Sequence, residues 1–107
     1  MVRAIMHGCN GKMGQVISGL AKADEQIEIV AGIDRYMGIN NDYPVFDSIE
    51  KCDVEADVVI DFSNAAAVDA LLEYCVEKAL PVVLCTTGLS EEQLAKVEEA
   101  AGKTAVL

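Results

Sequence analysis

The chain has 107 residues, just over half of them apolar, which suits one globular domain with a real core but is short for a complete two-substrate enzyme. A net charge of −10 argues against nucleic acid and anionic membrane as partners, since each calls for a basic patch. No apolar run approaches the ~20 residues of a membrane span and no secretory leader pattern opens the chain, so a cytoplasmic protein is expected.

Val2, Ala4, Ile5 and Met6 form an apolar strand that leads into Gly8-Cys9-Asn10-Gly11-Lys12-Met13-Gly14. Strand, glycine loop and helix start, in that order, make a phosphate-binding turn, because backbone N–H groups can close on an anion at the positive end of the helix. Gly8 is expected to make the tight turn, Gly11 to let a pyrophosphate approach and Gly14 to let the helix pack on the strand. The spacing is G-x-x-G-x-x-G; in the related G-x-G-x-x-G fingerprint the first glycine falls on Cys9. An anionic ligand must be attracted locally against the overall field, which gives weight to Lys12 and Arg35.

Met13, Val16, Ile17, Leu20 and Ala21 then recur at helical spacing and predict one helix with one buried stripe. Ile27 to Ile33 reads as a second strand, so the opening unit is strand, helix, strand with a right-handed crossover and parallel pairing. Asp34 ends that strand about 20 residues past the loop, where the fingerprint wants an acid for the adenosine ribose. Arg35 follows, and a guanidinium there can hold a 2′-phosphate, so the pair admits NADH, NADPH or both. The plainer alternative is a turn aspartate beside a solvated arginine.

Residues 36 to 55 are irregular, with turn signals at Gly38, Asn40, Asn41, Asp42 and Pro44, a short strand near Val45-Phe46 and one helical turn around Ser48 to Cys52. Asp57 to Asp61 is a buried strand followed by Phe62-Ser63-Asn64, in which Ser63 or Asn64 is a good N-cap. The helix behind it carries Val68, Leu71, Leu72, Cys75, Val76 and Ala79. Pro81 to Cys85 is the next strand, with Thr86-Thr87-Gly88 as its exit turn. Ser90 and Gln93 form a capping box, Leu89 and Leu94 stand where a hydrophobic staple closes, and Gly102 ends that helix. Thr104 to Leu107 reads as a further strand, as expected of the front portion of a longer protein. The alternation specifies an α/β fold: a doubly wound parallel sheet of the Rossmann-like, dinucleotide-binding type.

Cys9, Cys52, Cys75 and Cys85 form no CxxC pair and no zinc spacing, so reduced thiols and no metal are expected. Cys9 and Cys85 are read as two small residues filling tight turns. The alternative is that the Cys9 thiol pKa falls at the helix start and that oxidation joining it to Cys85 would block cofactor binding.

The glycine loop with Lys12-Met13 before its last glycine, Asp34-Arg35, Asp61-Phe62-Ser63 and Cys85-Thr86-Thr87-Gly88 together resemble the N-terminal domain of the dihydrodipicolinate reductase family, over essentially the whole chain. The resemblance implies that residues 1–107 bind NAD or NADP. The loop residues Gly8, Cys9, Asn10, Gly11, Lys12 and Met13 would wrap the pyrophosphate. Asp34 and Arg35 would contact the adenosine ribose and the 2′-phosphate, and Cys85, Thr86 and Thr87 would lie by the nicotinamide half. It further implies lysine and diaminopimelate biosynthesis, a dicarboxylate substrate and proton donor held by a C-terminal domain beyond residue 107, a homotetrameric parent, and no catalytic residue in this stretch. Cys85 departs from the family's usual glycine. His7, the one histidine, sits too near its strand end to be the proton donor and is read as packed against the loop. Two rivals remain: a non-catalytic NAD(P)-sensing module, and a receiver-type domain with Asp61 as phosphate acceptor.

Overall fold

The computed structural model describes residues 2–35, 41, 43–63, 65–86, 88–104 and 106. Val2–His7 (β1), Ile27–Ile33 (β2), Val45–Phe46 (β3), Val58–Asp61 (β4) and Val82–Leu84 (β5) are the strands. Lys12–Lys22 (α1), Ala65–Glu77 (α2) and Glu91–Ala101 (α3) are the α-helices, with a 3₁₀ turn at Ile49–Lys51. The strands pair in parallel in the order β3-β2-β1-β4-β5. The chain therefore winds outward from β1 through β2 to β3, then returns to start again at β4 on the other side of β1. That reversal opens a crevice at the carboxyl ends of β1 and β4, which is where an open α/β sheet binds its ligands.

Each sheet face has its own core. Ala4, Met6, Cys9 and Ile29 pack with Ala21 of α1, whereas Ile5, Ala31, Ile33 and Val59 pack with Leu71 and Cys75 of α2. Ile29, Ala31 and Ile33 share a period of two and by alternation alone belong to one face. The register shift between Ala4↔Ile29 and Ile5↔Ala31 divides them between the two faces.

α1 does not bury the expected stripe. Gly14 and Ala21 are buried and Ile17 partly so, but Met13, Val16 and Leu20 remain 47%, 48% and 67% exposed. Contact runs along positions 14, 17 and 21, one residue and so about 100° around the helix from 13, 16 and 20. The small Gly14 and Ala21 allow the close approach that sets this rotation.

α2 ends at Glu77, short of the periodic Ala79, which adopts φ 51°. α3 carries the expected capping box: Ser90 Oγ accepts from Gln93 N–H at 3.1 Å and Gln93 Oε1 accepts from Ser90 N–H at 3.0 Å. Leu89 packs on Val68, Leu72 and Ala100, but its staple partner Leu94 stays 52% exposed. Of the final strand, Val106 makes one parallel bridge to Val82, and Ala105 and Leu107 lie outside the described residues. Among the described residues no helix is long and apolar enough to cross a membrane.

Candidate functional site

The turn after β1 is built around glycines for two separate steric reasons. Gly8 has φ 87°, and a Cβ there would lie 2.6 Å from the Phe62 carbonyl oxygen of the neighbouring β4 turn. A Cβ on Gly14 would lie 2.2 Å from the Gly8 oxygen and 2.7 Å from Cys9 Cα. Gly11 is different, since a Cβ there meets only the Gly8 oxygen, at 3.4 Å. Internal packing therefore does not demand a glycine there.

The amides divide accordingly. Gly8 and Cys9 N–H both donate to the Ile33 carbonyl, at 2.7 and 3.2 Å, tying the turn to the end of β2. Asn10 N–H donates to Asp34 Oδ2 at 3.0 Å, which brings the half-buried Asp34 carboxylate over the loop. Gly11 is the N-cap of α1 and supplies no side-chain bond, the first turn contains no acid, and the exposed Lys12 is its first residue. A cation at a helix N-terminus is unfavourable unless an anion answers it. α3 shows how the same chain finishes a helix start that needs no ligand: Ser90 caps it, and Glu91 and Glu92 fill its first turn.

Side chains that sequence reading passed over brace the loop from behind. Gln15 Nε2 donates to the Cys9 carbonyl at 2.8 Å and to Asn41 Oδ1 at 3.0 Å, and Asn41 Nδ2 donates to Asn10 Oδ1 at 2.7 Å. Gly32 gives Cys9 its place, since a Cβ there would lie 2.6 Å from both Cys9 Sγ and Tyr43 Cε1. A glycine within a strand is the available signal for such a close approach. The Cys9 thiol is not activated: burial, reinforced by the Asp34 charge, pushes its pKa up to about 11. Nor can Cys9 bridge Cys85. Cys9 follows β1 with its sulfur turned toward β2, whereas Cys85 follows β5 on the other side, two strand spacings or about 10 Å from β1, against a limit of about 7 Å for a disulfide. Arg35 is exposed directly after Asp34, and Thr87 lies outside the described residues, as do 36–40, Asp42 and Asn64.

A second cluster closes the crevice at β4 and β5. His7 and Asp61 are register partners on adjacent strands, so their side chains meet on one face, with His7 Nδ1 2.8 Å from Asp61 Oδ1. Ser63 donates its hydroxyl (2.5 Å) and its N–H (3.2 Å) to the same oxygen, and the Thr86 hydroxyl donates to Oδ2. Burial alone would raise the Asp61 pKa, but the bonds from His7, Ser63 and Thr86, with the His7 charge, outweigh it and hold the carboxyl below its ordinary value. Ser63, which the sequence offers as an N-cap, thus bonds Asp61 through both its hydroxyl and its N–H. The receiver-type reading fails here, because Asp61 is 0% exposed and already fully bonded.

The turn after β1, the Asp34 carboxylate after β2 and the Ser63 and Thr86 hydroxyls after β4 and β5 thus all stand at the carboxyl edge of the sheet. A cleft of about 580 Å³ lies between α1 and the Ile27–Ile29 and Tyr43 region; Ser18, Lys22, Asp24, Glu28 and Tyr43 line it, but no residue of the turn from Gly8 to Gly14 does. Among the described residues no cluster of His, Cys, Asp and Glu could hold a metal ion.

The family model described as "Dihydrodipicolinate reductase, N-terminus" matches residues 2–107. The chain is 52% identical over 99 residues to the 4-hydroxy-tetrahydrodipicolinate reductase of Clostridium tetani, and 49% identical over 100 residues to that of Caldanaerobacter subterraneus. These alignments cover 92% and 94% of the chain but 39% of each relative, so the chain spans about two fifths of their length. Among solved structures, a dipicolinate-bound dihydrodipicolinate reductase from Paenisporosarcina superposes with a TM-score of 0.81 at 26% identity, covering 94% of this chain and 43% of that one. Homoserine dehydrogenase from S. aureus gives the same TM-score at 15% identity over 98% of this chain and 31% of that one, a likeness of fold alone.

Proposed function

The chain belongs to the dihydrodipicolinate reductase family, and on that footing we propose that it is the dinucleotide-holding domain of an NAD(P)H-dependent reductase acting on the cyclic dihydrodipicolinate precursor in lysine and diaminopimelate biosynthesis. The observation that carries this reading is the start of α1. Gly11 caps it without a side chain, Lys12 adds positive charge, and its first turn holds no acid, in a chain whose net charge is −10. An incoming diphosphate is the group that completes such an end.

In this reading the first-turn amides of Lys12 and Met13 and the Lys12 ammonium face the diphosphate, while Gly8, Cys9 and Asn10 shape the loop that presents them. Asp34, already over the loop, takes the adenosine ribose, and Arg35 takes a 2′-phosphate when one is present. Cys85, Thr86 and Thr87 lie along the nicotinamide half. The bound dinucleotide supplies hydride; these side chains bind and orient it. Substrate, proton donor and tetramer contacts belong to the remainder of the family's length, so residues 1–107 alone are expected to reduce nothing. Calorimetric titration with NADH and NADPH tests the reading: saturable binding of either one supports it, and binding of neither overturns it.

A further inference from the structure

The Asp61 cluster constrains the ligand in a way the glycine turn does not. An ionised carboxylate can only accept hydrogen bonds, and a hydroxyl has a single proton to donate. Asp61 accepts four donors: His7 Nδ1–H, the Ser63 hydroxyl and the Ser63 N–H on Oδ1, and the Thr86 hydroxyl on Oδ2. Ser63 Oγ also lies 3.5 Å from Thr86 Oγ1, but both hydroxyls direct their protons to the carboxylate; the Thr86 proton is therefore committed inward, and the half-buried Thr86 is left with lone pairs to offer a ligand. The backbone fixes this arrangement as well, since Cys85 N–H donates to the Asp61 carbonyl at 2.9 Å and Phe62 N–H to the His7 carbonyl at 3.0 Å.

We propose that Asp61 is a positioning residue that fixes Thr86 Oγ1 as a hydrogen-bond acceptor, so that the group of the nicotinamide half seated against it must be a donor: the carboxamide amine or a ribose hydroxyl. The inference rests on the dinucleotide reading above. Without the carboxylate, Thr86 can turn its proton outward and accept or donate equally, and the site loses its polarity. His7 is part of the device, because its Nδ1–H holds the carboxylate from the β1 side.

The test measures dissociation constants of the full-length enzyme for NADH, for the reduced 3-acetylpyridine analogue, which replaces the carboxamide amine by methyl, and for analogues lacking a hydroxyl of the nicotinamide ribose. The wild type is expected to bind one of these analogues roughly 5- to 10-fold more weakly than NADH, the size of one lost hydrogen bond, which also identifies the donor. Asp61→Asn, whose amide can donate to Thr86, should bring that ratio within about twofold of unity. Thr86→Val should do the same, and because it leaves the carboxylate in place it guards against misfolding of the Asp61→Asn protein. Thr86→Ser keeps the hydroxyl and should keep the ratio. Equal affinity of the wild type for every analogue, or wild-type discrimination surviving in both Asp61→Asn and Thr86→Val, overturns the proposal. Failure of the wild type to bind NADH at all overturns the dinucleotide reading beneath it.

Discussion

Gly14→Ala separates two effects of opposite sign. Alanine in place of glycine favours a helix by up to about 1 kcal/mol. At position 14, however, the added Cβ would stand 2.2 Å from the Gly8 oxygen, 0.8 Å inside the 3.0 Å that real Cβ contacts respect, and 2.7 Å from Cys9 Cα and oxygen. All of these atoms are backbone, so no rotamer relieves the overlap and α1 must lift from the loop. Overpacking of this kind costs about 1–3 kcal/mol, which leaves a net destabilisation of up to about 2 kcal/mol after the helix term. Gly19→Ala is the matched control, because a Cβ there meets nothing within 4 Å and only the helix term remains. Urea unfolding should therefore show Gly14→Ala less stable than wild type and Gly19→Ala more stable by about 0.5–1 kcal/mol. NADH should bind more weakly to Gly14→Ala alone. If both variants are stabilised alike, the loop is not packed against α1 as described.

Arg35→Ala should weaken NADPH about 10- to 100-fold, as for a lost charge-assisted bond, and NADH hardly at all; equal losses in calorimetry contradict a 2′-phosphate role. Asp61 is held below its ordinary pKa because hydrogen bonds from His7, Ser63 and Thr86 outweigh the upward push of burial, so the unfolded chain takes up the proton first. Its stabilisation is then complete above the unfolded value near 3.9 and is lost as pH falls through the folded one. Asp61→Asn should accordingly be less stable than wild type at pH 7, with a gap that narrows toward pH 3; a gap independent of pH contradicts this. Burial pushes the Cys75 thiol up to about 12, and burial with the Asp34 charge pushes Cys9 up to about 11. Alkylation of the folded protein at pH 8, read by mass spectrometry, should reach the half-buried Cys85 well before either, and Cys9 reacting as fast as Cys85 contradicts its placement.

Local chemistry was legible where one residue type answers one constraint. Gly8 at positive φ, Gly14 under the loop, the Ser90–Gln93 box and the bounds of β2 all follow from short-range pattern. What escaped depends on distance in sequence. The partners His7 and Asp61 lie 54 residues apart and meet because β1 and β4 are neighbours, a fact of sheet order that no window of sequence contains. The bulge that sends Ile29 and Ala31 to opposite faces is invisible to alternation, and the turn of α1 that exposes Leu20 is set by the glycine beneath it rather than by its apolar period. Cys9 follows the plainer of its two readings, a small residue filling a tight turn, because nearness to a helix start counts for less than the burial among Gly32 and Tyr43.

The central claim is that the bare, positively charged start of α1 grips a dinucleotide diphosphate, and amide-resolved NMR during NADPH titration tests it most directly. The account predicts the largest shifts at Gly11, Lys12 and Met13, with smaller ones at Asp34 and Thr86. Shifts confined to the cleft lined by Ser18, Lys22, Glu28 and Tyr43, with those three amides unmoved, would contradict it.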